Sequence, residues 1–175
     1  MRRTRKPKRP LLSLLTDQTP NRIKMSNYHF AGVPRVISTT GEYALRATVF
    51  LAQHHPSPQT TAQIAEGTKV PSGYLSKILQ AMVRAELVHS QRGLHGGFTL
   101  IGEPKAISVL DVLMSVGAAP ERIRKCPLGL KGHVKLCPVH KLVDEAVEHA
   151  EKAFSSATLD ELSRSTRGSV PLCEK

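Results

Sequence analysis

Between Thr60 and Ile101 the sequence changes from apolar residues spaced by three and four to a strand, glycine-rich tip, strand pattern, and this change limits the fold more than any other feature. Thr60 and Gln63 have capping-box spacing, which predicts a short helix over 61–67. Pro71 stands where the next helix begins, and Leu75, Ile78, Leu79, Met82 and Val83 form its inward stripe. Upstream, Tyr43, Ala47, Phe50 and Leu51 recur at helical spacing within 39–53, before Pro56 and Pro58 close the segment. Three short helices, the last two joined by a tight turn, make a helix-turn-helix. Strands over 87–91 and 98–101 then flank Arg92-Gly93-Leu94-His95-Gly96-Gly97, and a hairpin in that position reads as a wing. The tip glycines are expected to allow positive φ and close approach to a phosphate.

Ser108 and Asp111 predict a capped helix over 109–116, followed by a polar loop over 117–136. Val139, Leu142, Val143, Ala146, Val147, Ala150 and Phe154 then repeat along one face of a long helix, opposite Lys141, Glu145, Glu148 and Lys152. Such a stripe needs cover, either from the same helix of a second copy or from its own domain. The predicted fold class is mainly α, a winged helix-turn-helix with a two-stranded wing and a long C-terminal dimerisation helix. The chain divides into an arm (1–35), a DNA-binding domain (36–104), a sensor loop with the dimerisation helix (105–165) and a tail (166–175), the arm and tail being expected to lack order.

The net charge of +11 and pI near 10.0 favour a polyanionic partner, because Lys and Arg release counterions from phosphates. Most of that charge sits in the arm, where Arg2, Arg3, Arg5, Lys6, Lys8, Arg9, Arg22 and Lys24 face only Asp17. Charge alone is therefore a weak argument for DNA, and Met25 is an alternative start that would remove these cations. The apolar run Leu11-Leu12-Ser13-Leu14-Leu15 is shorter than the core of about 7 to 15 residues that a secretory signal needs. Without a stretch of about 18 apolar residues no membrane span is expected, and the expected location is the cytoplasm.

A recognition helix presents its outward side chains to base edges and phosphates. Here these are Ser72, Tyr74, Ser76, Lys77 and Gln80, with Arg92 and His95 at the wing placed for the adjacent minor groove. The expected partners are double-stranded DNA and a second copy of the chain. Paired carboxylates, a nucleophile elbow and a phosphate loop are all missing, so an enzyme is not expected. The alternative is a basic winged-helix scaffold that regulates a protein partner.

The runs Ile37-Ser38-Thr39-Thr40-Gly41-Glu42-Tyr43-Ala44-Leu45-Arg46, Ile64-Ala65-Glu66, Pro71-Ser72-Gly73-Tyr74-Leu75, Gly96-Gly97-Phe98 and Ile107-Ser108-Val109-Leu110-Asp111-Val112 together resemble the Rrf-two family of regulators over about residues 36–165. The resemblance implies a winged-helix homodimer on palindromic promoter DNA. Two positions depart from the family pattern. Lys69 stands where a glycine is usual, so a left-handed turn would cost of order 1 kcal/mol and another turn shape is expected. Cluster-binding members carry three close cysteines before the dimer helix, whereas this loop has only Cys126 and Cys137.

In those members, the positions matching Cys126, Cys137 and His140 ligate an iron–sulfur cluster. The resemblance leaves the fourth ligand to His133 or to Glu42 of a partner subunit. Read from spacing alone, Cys126, His133, Cys137 and His140 form C-x6-H-x3-C-x2-H, two thiolates and two imidazoles for zinc. A thiol switch between Cys126 and Cys137, and a loop that binds nothing, also stay open. Cys173, beside the C-terminus, reads as an incidental thiol.

Overall fold

The computed structural model describes residues 36–93, 96–127 and 135–165. The expected arm, the expected tail with Cys173, and the candidates His95 and His133 lie outside the described residues. Helix α1 (Thr39–Gln53) starts at Ser38, whose side chain accepts a hydrogen bond from the Gly41 amide. Helix α2 (Thr61–Thr68) has the predicted capping box, with Thr60 N–H donating to Gln63 Oε1 (2.8 Å) and Gln63 N–H to Thr60 Oγ1 (3.3 Å). Helix α3 (Ser72–Arg84) follows after a short turn and buries Leu75, Ile78, Leu79 and Met82.

The turn before α3 departs from expectation. Lys69 adopts the left-handed conformation itself (φ 55°, ψ 28°), so the usual turn shape is kept on a non-glycine residue. The cost, about 1–2 kcal/mol, is borne because Val70 next to it is buried in the core. Glu86 is also left-handed (φ 56°) and closes α3 in a Schellman arrangement. Leu87 N–H donates to Met82 O (3.0 Å) and Glu86 N–H to Val83 O (3.1 Å), which turns the chain into the wing.

Strands β1 (Val88–Gln91) and β2 (Gly97–Leu100) pair antiparallel, Val88 with Leu100 and Gln91 with Gly97. Gln59, just before α2, forms an isolated bridge to Phe98, with amides donating in both directions at 3.0 and 2.8 Å. The wing is thereby fixed to the helix-turn-helix. Of the tip glycines only Gly93 (φ 108°) uses the left-handed region. Gly97 is extended, and it is small for a different reason: a Cβ there would sit 2.7 Å from Gln59 O. Close backbone packing, more than turn geometry, requires that glycine.

Helix α4 (Val109–Ser115) starts in a second capping box between Ser108 and Asp111. Helix α5 (Pro138–Ser156) is the predicted long helix, and helix α6 (Leu159–Ser165) follows it. α6 was not foreseen. It packs on α1 and sends Leu159 fully into the core beside Ala44, Ala47, Leu51, Ile107 and Val112. Backbone bonds from Val109 N–H to Ala157 O and from Leu159 N–H to Ile107 O, both 2.9 Å, lace this segment to the start of α4. Burying a leucine contributes about 1.5–3 kcal/mol, so α6 belongs to the stability of the winged-helix core. In contrast, α5 touches α4 yet has no buried residue: Val139 and Leu142 are 67% and 69% exposed.

Candidate nucleic-acid interface and metal centre

Because α3 buries one stripe, its opposite side chains point outward: Ser72, Tyr74, Lys77 and Gln80 are exposed, and Ser76 is half-buried. Two of the five are engaged within the protein. Ser76 Oγ donates to Ser72 O one turn back (3.0 Å). Tyr74 leans onto α1, its hydroxyl 2.7 Å from Thr40 Oγ1 and its ring edge-on to Tyr43 at 5.6 Å. On the wing, Arg92 is exposed. Neither Lys77 nor Arg92 is ion-paired among the described residues, so both cations are available to phosphate.

A second constellation forms at the start of α5. Cys137 is the N-cap residue and His140 lies three residues on, so both face the same side of the first turn. Cys126 arrives from the preceding loop. His140 Nδ1 lies 3.1 Å from Cys137 Sγ and 3.6 Å from Cys126 Sγ, and the three donor atoms all lie within 4.8 Å of one another. Two thiols and one imidazole in this arrangement can coordinate a metal ion. Glu42, expected at the site only from a partner subunit, pairs within its own chain with Arg46 on α1.

What brings Cys126 to α5 is a clamp that the sequence reading missed. Arg122 Nε and Nη2 donate to the two carboxylate oxygens of Asp144 at 2.8 and 2.7 Å, and Ile123 N–H adds a third bond to Asp144 Oδ1 (2.8 Å). Glu148 (3.2 Å) and Glu151 (3.7 Å) extend the pairing along the same face of α5. The Arg122 hydrogen bonds hold the Asp144 carboxyl well below its ordinary value, at about 2, with the Ile123 amide helping. Arg122 is in turn raised above the usual guanidinium range, chiefly by its bond to Asp144. The acidic stripe Asp144, Glu148, Glu151 at spacings of four and three was the available signal.

The Rrf2 family model, described as Iron-dependent Transcriptional regulator, matches residues 37–165. The chain belongs to the Rrf2 family. Rrf2 members are transcriptional regulators and not enzymes, which makes this chain a DNA-binding regulator. IscR of Erwinia tasmaniensis is 30% identical over 129 residues, covering 72% of this chain and 77% of that protein. CymR of Bacillus subtilis is 29% identical over 143 residues, 75% of this chain and 92% of that one. The solved structure of CymR, the global cysteine regulator of B. subtilis, matches with a TM-score of 0.63 at 27% identity over 74% of this chain and 97% of its own. IscR of T. potens matches with a TM-score of 0.59 at 29% identity, over 79% and 92%. A shorter match, 32% identical over 84 residues, covers 48% of this chain and 58% of a relative from Aquifex aeolicus. Among the described residues no helix is long and apolar enough to cross a membrane.

Proposed function

We propose that this Rrf2 regulator acts as a homodimer on palindromic promoter DNA, with α3 in the major groove and the wing at the adjacent minor groove. Its DNA affinity then depends on what occupies the Cys126, Cys137 and His140 group. The observation that carries the DNA reading is the shared outward direction of Ser72, Lys77 and Gln80 on a helix whose neighbouring wing is bonded to the same unit through Gln59. The dimer reading rests on α5, a 19-residue helix with a continuous apolar stripe and no buried residue. A second copy supplies the same stripe, so the two can cover each other by a two-fold operation. The Cys/His group sits at the N-terminus of that helix, so a change in its occupancy acts on the element proposed to hold the two DNA-binding units together.

The test is promoter affinity against salt for the full chain, with and without metal. DNA binding through several phosphates weakens steeply as ionic strength rises, with a slope of about 0.9 per phosphate neutralised. A flat response would identify a protein partner and overturn the DNA reading. Affinity that is identical in metal-loaded and metal-stripped protein would overturn the effector role of the group.

A further inference from the structure

We infer that Cys126, Cys137 and His140 form a site for one borderline-soft divalent cation of the zinc type, and not the ligand set of an iron–sulfur cluster. The inference rests on reading the group as a metal centre and is independent of the DNA-binding reading.

The spacing of the donors carries the argument. An ion held at about 2.3 Å from sulfur and 2.0–2.1 Å from nitrogen in tetrahedral geometry sets S···N near 3.6 Å and S···S near 3.8 Å. Cys126 Sγ stands at 3.6 Å from His140 Nδ1, and all three donor pairs fall within 4.8 Å. Both sulfurs lie within hydrogen-bonding reach of that nitrogen, the Cys137 pair being the closer at 3.1 Å. One ring nitrogen faces both sulfurs, as a monodentate ligand to a shared ion must.

A cluster asks for the opposite arrangement. In a [2Fe–2S] core each iron takes two terminal ligands, so one of three donors must attach to the far iron and stand apart from the other two. In a [4Fe–4S] core every terminal ligand points away from the others. Three donors converging on a single point match neither. Two thiolates also neutralise a divalent ion while leaving a three-coordinate set, which zinc completes with one further ligand or water.

The convergence is built into the fold. Cys137 and His140 are fixed by the first turn of α5, and the bonds of Arg122 and Ile123 to Asp144 anchor the loop that delivers Cys126. Asp144 is a positioning residue for the site, since its bonds to Arg122 and Ile123 fix the loop that carries Cys126.

The full chain should be purified anaerobically and assayed for metals and acid-labile sulfide, then stripped and titrated with Co2+. The expected result is one Co2+ per chain, with thiolate-to-cobalt absorption and the intense visible bands of a tetrahedral ion, displaced by one equivalent of Zn2+. Cys126→Ser and Cys137→Ser should each weaken the charge-transfer band, and Asp144→Asn should lower Zn2+ affinity about 10–100-fold with the band unchanged in shape. X-ray absorption of the Zn2+-loaded wild type, showing two sulfurs and at least one nitrogen, keeps the test independent of variant folding. Labile sulfide in proportion to iron, or no uptake of Co2+, would overturn the inference. A chain that binds cobalt but not DNA would instead overturn the regulator reading alone.

Discussion

Tyr74 Oη lies 2.7 Å from Thr40 Oγ1, which ties the first turn of α3 to the start of α1. The hydroxyl that the sequence offered to DNA is thus engaged within the protein. An exposed hydrogen bond of this kind contributes about 0.5–1 kcal/mol. Tyr74→Phe and Thr40→Val should each lower stability by that amount, and the double variant by no more than either alone, measured as a double-mutant cycle in urea. If Tyr74→Phe weakened promoter binding without changing stability, the hydroxyl would be contacting DNA after all.

Lys77 and Arg92 lie on different elements of one face. Lys77→Ala and Arg92→Ala should each weaken promoter binding and reduce the slope of log affinity against log salt by about 1. Gel-shift titrations at four or more salt concentrations check this. The proposed dimer, measured by sedimentation, should be unaffected in both.

Leu142 is exposed on the apolar stripe of α5. Placing a charge there opposes burial against a second copy, so Leu142→Glu should shift the chain to monomer in sedimentation while leaving the Co2+ spectrum intact. Leu159→Ala acts elsewhere: it opens a cavity in the winged-helix core and should cost about 2–5 kcal/mol in denaturant unfolding. A cost below 1 kcal/mol would mean that α6 does not belong to that core.

The Asp144 carboxyl titrates at about 2 in the folded chain against an ordinary 3.8. Because its folded value is lowered, the clamp contributes stability that is fully present above pH 3.8 and is lost as pH falls toward 2. The stability difference between wild type and Asp144→Asn should therefore be constant from pH 5 to 7 and shrink between pH 4 and 2. A difference that grew in acid would assign the effect to another group.

Helices α1 to α5, the two capping boxes and the wing were legible in the sequence because each depends on residues a few positions apart: Thr60 with Gln63, Ser108 with Asp111, and the stripe from Leu75 to Met82. The pairing of Cys137 with His140 was equally legible, since three residues on a first helical turn share a side. What lay far apart in sequence was not. The left-handed turn survives on Lys69 because packing of the neighbouring Val70 outweighs a backbone cost that local reasoning alone would avoid. Thr158 and Glu161 have capping spacing, with Glu161 N–H donating to Thr158 Oγ1 (3.2 Å), yet only tertiary packing explains why Leu159 enters the core beside α1. The same holds for the group of Cys126, Cys137 and His140. Which donors the loop carries is fixed residue by residue along the chain, and with it the availability of soft-metal or thiol chemistry. That Arg122, reaching Asp144 across 22 residues, brings Cys126 to within 3.6 Å of His140 emerges only in the folded chain. Donor identity is a property of single residues, whereas donor spacing follows from how a loop closes on a helix.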